Sequence, residues 1–129
     1  MQQDTFSDAL SSINNAARTG NRYAEIQPTS NLIKNVLLKL QDLGYIGVFE
    51  LVEQPEGGKF RVEVKPQINE CQSIKPRFSV QKDEYEKWAK RYLPARGFGN
   101  ILVTTSHGVM THEEAAEKGI GGKLLGYVY

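Results

Sequence analysis

The sequence predicts an α/β (α+β) chain of two small subdomains, an N-terminal α-β-α-β-β part (1–65) and a C-terminal mainly β part with short helices (66–129). Three observations carry this. Two apolar stripes at helical spacing fill much of the first 43 residues, a pair of extended segments around 46–65 flanks a Pro/Gly turn, and short extended segments broken by Gly and Pro dominate beyond Pro66.

Residues 6–17 place Phe6, Ala9, Leu10, Ile13, Ala16 and Ala17 on one helical face, with Thr19-Gly20 as a stop. Tyr23 to Ile26 reads as a short strand. Pro28-Thr29-Ser30 then supplies a turn and an N-cap for a second helix reaching about Leu43. Leu32, Ile33, Val36, Leu37, Leu40 and Leu43 form its buried stripe, and Gly44 stands where a left-handed stop is needed. Ile46–Glu53 and Lys59–Lys65 read as an antiparallel hairpin, because Phe60, Val62 and Val64 alternate with Arg61, Glu63 and Lys65. Two helices can cover one face of the resulting sheet.

Beyond Pro66, extended segments are expected around 68–74, 78–81, 101–105 and 123–129. Asp83 is a candidate cap for a short helix carrying Tyr85, Trp88 and Ala89. That helix must end before Leu93-Pro94, since the residue preceding proline avoids the helical region. Thr111 and Glu114 have capping-box spacing, and Gly119 stops the helix they begin.

The 129 residues carry a formal charge of +1, which hides an uneven distribution. Residues 1–64 hold 6 Lys+Arg against 8 Asp+Glu, and residues 65–129 hold 10 against 7. The excess is densest at Lys75, Arg77, Lys82, Lys87, Lys90, Arg91 and Arg96, a local anion-binding stripe or a solvated face. No apolar run approaches the roughly 20 residues that span a bilayer, and no basic region precedes a continuous hydrophobic stretch, so a soluble cytoplasmic protein is expected without membrane contact. Cys71 is the lone cysteine, which excludes an intramolecular disulfide and fits a small, partly buried side chain.

The residues with the most chemistry are Thr104-Thr105-Ser106-His107-Gly108. Ser106 beside His107 invites a nucleophile reading, with Glu113 or Glu114 as orienting group. Neighbours on a strand point to opposite faces, however, and a base must reach the hydroxyl at roughly 2.6–3.2 Å. A Gly-x-Ser-x-Gly elbow is also missing. His112-Glu113-Glu114-Ala115-Ala116 lacks the second histidine of a zincin motif and reads as the polar start of a helix, so neither metal nor cofactor is implied. Three consecutive hydroxyls can instead serve phosphate, 2′-OH or base edges, with Gly108 allowing close approach. Ordinary turn chemistry accounts for them as well.

The Thr-Thr-Ser-His-Gly turn, the Val109-Met110-Thr111 helix start and the Gly121-Gly122-Lys123-Leu124 closing segment together resemble the small-subunit ribosomal protein S-eight family. Lys75-Pro76-Arg77-Phe78, Lys90-Arg91-Tyr92-Leu93-Pro94-Ala95-Arg96 and Pro28-Thr29-Ser30-Asn31-Leu32-Ile33-Lys34 extend the resemblance over nearly the whole chain. The Arg-Tyr-Leu-Pro-Ala-Arg block resembles the archaeal and eukaryotic branch.

The resemblance implies a non-enzymatic structural constituent of the small ribosomal subunit, a monomer within the ribosome, that binds the central domain of small-subunit rRNA and helps assemble it. It also implies contact with neighbouring ribosomal proteins, and some family members bind their own messenger RNA. Thr104, Thr105 and Ser106 would then make hydroxyl contacts, with His107 beside them, Gly108 permitting the turn, and Gly121, Gly122 and Lys123 alongside. Lys123 stands where bacterial members have Glu, which exchanges an acceptor for a donor and suits phosphate. A second surface would come from Asp4, Thr5, Asn15, Arg18, Thr29, Ser30, Asn31 and Lys34. Lys75, Arg77, Arg91 and Arg96 would add charge, and Tyr92 could stack a base or form part of the core. The rival readings are a small enzyme with a hydroxyl-rich anion pocket for a phosphorylated metabolite, and a protein-interaction module whose basic stripe docks an acidic partner.

Overall fold

A computed structural model of the chain describes residues 5–27, 30–53, 55, 57–95 and 97–129. The chain falls into two compact units, 1–71 and 72–129.

The first unit opens with α1 (Thr5–Thr19), whose Phe6, Ala9, Leu10, Ile13 and Ala16 are buried as their spacing requires. Then come β1 (Tyr23–Ile26), α2 (Asn31–Asp42), β2 (Ile46–Val52) and β3 (Lys59–Val64). Ser30 caps α2, its hydroxyl accepting from the Ile33 N–H at 3.2 Å. Gly44, at φ +86°, follows the helix in the left-handed conformation expected of it. The sheet order is β1-β3-β2, antiparallel throughout, so the hairpin's second strand lies at the centre. Phe60, Val62 and Val64 of β3 point to the buried face, which α1 covers along β1 and β3 and α2 covers along β2. Fully burying each such side chain contributes about 1.5–3 kcal/mol.

Asn14 is buried within this unit, and its Oδ1 accepts from the Cys71 N–H at 3.1 Å. Cys71 is fully buried, beyond the partial burial expected, and the apolar surroundings push its thiol up to about 12.

Across the boundary and through the second unit run β4 (Cys71–Ser73), β5 (Ser79–Val80), α3 (Tyr85–Tyr92), β6 (Asn100–Thr105), β7 (Gly108–Thr111), α4 (His112–Lys118) and β8 (Gly122–Val128). The sheet order is β4-β8-β6-β7, with β5 also paired to β8. Ile74, Val80, Tyr85, Trp88, Ile101, Val103, Met110, Ala115 and Leu124 form one core, and Tyr85 ties α3 to the segment before β8 by donating to the Ile120 carbonyl at 3.0 Å.

Two local expectations need correction. Asp83 does not cap α3, which begins at Tyr85 without a side-chain cap. Glu84 instead accepts from the Gln81 N–H at 2.9 Å while its own N–H donates to the Gln81 carbonyl at 3.0 Å, a reciprocal turn that takes the place of a cap. Residues 108–111, expected to lead straight from a turn into a helix, form strand β7 first.

Candidate nucleic-acid interface

The hydroxyl-rich segment is the end of β6 and its reversal into β7. Thr105 pairs with Gly108, so Ser106 and His107 are the two tip residues, and both are exposed. Gly108 takes φ +104°, while no other residue type among the described residues has a positive φ. The glycine thus supplies the conformation that lets a right-handed turn re-enter the strand.

The three hydroxyls are not equivalent. Thr105 Oγ1 donates to the Gly108 carbonyl at 2.9 Å and accepts from the His107 N–H at 3.0 Å, so its proton is committed to the turn. Ser106 is at the exposed tip. Thr104 is half-buried in the ladder, opposite Val109 on one side and Lys123 on the other. Since Ser79 pairs with Lys123, the row Ser79–Lys123–Thr104–Val109 crosses four strands on one face. Two short hydroxyls and one ammonium therefore share that face, a set that can serve sugar hydroxyls and a phosphate together.

Gly122 has a packing reason to be glycine. A Cβ there would meet the Thr104 carbonyl at 2.6 Å and the Thr105 methyl at 2.9 Å, and one on Gly121 would meet the Val80 carbonyl at 2.6 Å. The pair lets β5, β8 and β6 approach closely, which places Lys123 beside Thr104.

Behind the turn, α4 is fastened to the strand that carries it. Thr111 accepts from the Glu114 N–H at 3.2 Å, and the Glu114 carboxylate accepts from the Thr111 N–H at 3.0 Å, completing the expected capping box. His112, expected only as a polar helix start, is buried, and its Nδ1 accepts from the Ile101 N–H at 3.1 Å. Burial lowers its pKa below the usual histidine range, against the opposing pull of the Glu113 carboxylate. His112 thus works as an uncharged clamp on β6.

Lys75, Arg77 and Arg91 are exposed in the same unit. The Arg91 guanidinium lies 5.4 Å from the Trp88 ring centroid and 5.9 Å from that of Tyr92, and the Lys87 ammonium lies 5.6 Å from Trp88. Tyr92 stacks against Trp88 at 6.3 Å and Tyr127 at 5.6 Å, so its ring is engaged within the protein. The row continues from Phe78 through these rings to Tyr129 and Phe98. Sequence reasoning placed Trp88, Tyr127 and Tyr129 in packing but missed the row they form, whose signal is the set of aromatics at α3, the closing strand and the preceding loop. Arg96 lies outside the described residues.

In the first unit, Thr5, Asn15 and Arg18 are exposed along α1, and Ser30, Asn31 and Lys34 gather at the first turn of α2. Ser30 Oγ accepts within its cap, which leaves the hydroxyl proton to donate. Asp4 and Thr29 lie outside the described residues.

Ser106 and His107 sit side by side at an exposed tip, and among the described residues no hydrogen bond joins the Ser106 hydroxyl to the imidazole. Among the described residues, no three His, Cys, Asp or Glu side chains are grouped to hold a metal ion, and no helix is long and apolar enough to cross a membrane.

The family described as ribosomal protein S8 matches residues 4–129. The small ribosomal subunit protein uS8 of Halorubrum lacusprofundi is 52% identical over 126 residues, covering 98% of this chain and 97% of the relative. The uS8 proteins of Haloquadratum walsbyi, at 52%, and Haloarcula marismortui, at 50%, match over the same shares. The chain belongs to the ribosomal protein S8 family, a structural and non-enzymatic family.

Proposed function

We propose that this protein is a structural constituent of the small ribosomal subunit that binds the central domain of small-subunit rRNA directly and helps assemble it in the cytoplasm. The observation that carries the reading is the juxtaposition of Thr104 and Lys123 in one cross-strand row, two positions before the Ser106-His107 tip. An irregular RNA helix offers a shallow minor groove with sugar hydroxyls and base edges, bounded by phosphates. Short hydroxyls can approach the first, and Lys123 can neutralise the second. The exposed groups of α1 and of the α2 first turn supply the contact surface of the first unit. As a ribosomal component the protein adjoins other small-subunit proteins as a single copy, and a messenger RNA that mimics the rRNA site would bind through the same hydroxyl face.

The test is a salt-titrated binding measurement with a central-domain rRNA fragment and an unrelated duplex of equal length. Thr104→Val with Ser106→Ala should weaken binding to the fragment by about tenfold, with little change for the duplex, since each lost hydrogen bond is worth about 0.5–1.5 kcal/mol. An unchanged ratio of specific to non-specific affinity removes the turn from recognition.

A further inference from the structure

We propose that the first unit carries a seat for one unpaired RNA nucleotide, in the groove between the first turn of α2 and strands β2 and β3. Its base would lie against Phe49 and its phosphate on Lys34. This rests on the RNA-binding reading above and adds a recognition element to it.

The groove has a volume of about 550 Å³ and is lined by Ser30, Asn31, Lys34, Phe49, Leu51 and Phe60. Phe49 pairs with Val62 and Leu51 with Phe60, so both project from the side of the sheet that the helices cover. Yet Leu51 is 54% exposed and Phe49 only half-buried, which shows that the covering stops short at this end of α2. Phe60 is buried beneath and meets Phe49 edge to face, with centroids 5.8 Å apart and rings at 79°, which fixes the Phe49 ring in place.

Three properties select a nucleotide as occupant. The floor is aromatic and accepts the face of any base. The wall carries an amide at Asn31, which can donate to and accept from a base edge, and the Ser30 hydroxyl. Among the described lining residues the single formal charge is that of Lys34, with no carboxylate beside it, which complements a phosphate. An apolar peptide side chain would use the floor but desolvate the amide and the ammonium without partners.

The experiment uses the full chain, isotopically labelled, with the central-domain rRNA fragment. Saturating RNA should shift the Asn31, Lys34 and Phe49 resonances. Phe49→Leu, which keeps an apolar floor, should lower affinity by about tenfold, as expected for loss of a base stack. Lys34→Gln, which disturbs no packing, should reduce the log–log salt slope by about 0.7–0.9. If both variants bind like the parent while Thr104→Val with Ser106→Ala binds more weakly, the seat is refuted and the RNA reading stands. Silence of the groove resonances at saturation refutes it too, including the case in which they respond to a protein instead. A parent chain that does not bind the fragment overturns both.

Discussion

Lys123 of β8 stands opposite Thr104 of β6, on the same face of the sheet. A lysine opposite a hydroxyl residue gives this face a cation without drawing on the exposed stripe of α3. Lys123→Gln should therefore reduce the log–log salt slope of rRNA binding by about 0.7–0.9, the loss of one neutralised phosphate. Lys123→Glu should weaken binding further, and a slope unchanged in both variants would show that Lys123 faces no phosphate.

The turn should depend on Gly108 for stability and on Ser106 for binding. At φ +104°, Gly108→Ala forces a side chain into a conformation it disfavours, and unfolding free energy should fall by at least about 1 kcal/mol. Ser106→Ala, at an exposed tip, should leave the urea midpoint within about 0.5 kcal/mol of the parent. Thr105→Val belongs with the glycine: losing the hydrogen bonds to Gly108 and His107 should cost about 1 kcal/mol.

The capping box offers a third measurement. Thr111 is 3% exposed, so Thr111→Val keeps the branched volume and removes only the hydroxyl that accepts from Glu114. Stability should fall by about 1 kcal/mol. Because Thr111 also pairs with Leu102 across β6 and β7, amide exchange should quicken in the hairpin as well as in α4. Exchange confined to α4 would show that the cap does not support the turn.

In the first unit α2 was the most legible element because it carries its own stripe, cap and stop. Leu32 to Leu43 shows its period, Ser30 its cap and Gly44 its exit within one short stretch. What sequence reading lacks is register. The row Ser79–Lys123–Thr104–Val109 comes from four strands, and no local pattern states that Lys123 meets Thr104 and not a neighbour. Strand β7 was hidden for a different reason: its four residues are too few to show alternation, and Thr111 ends it with a capping signal that dominates the local reading. Asp83 misled because a capping residue type competes with turn partners, and the Gln81–Glu84 pair prevailed. Phe49 passed as an ordinary strand residue, since the place where α2 stops covering the sheet is a property of packing.

His112 makes stability depend on pH in a definite direction. Burial depresses its pKa below the ordinary value of 6.5, so the unfolded chain binds a proton at a pH where the folded chain does not. Stability attributable to His112 is then fully present above about pH 6.5 and is lost as the pH falls through the folded pKa, because unfolding takes up the proton. The geometry gives the same sign: Nδ1 must keep its lone pair to accept from the Ile101 N–H, and protonation turns that acceptor into a donor facing a donor. The Glu113 carboxylate softens the effect without reversing it. His112→Asn places an oxygen near the position of Nδ1 and cannot titrate. Urea midpoints between about pH 7.5 and 5 should fall more steeply for the parent than for the variant, and parallel curves would mean that the imidazole carries no linkage to folding.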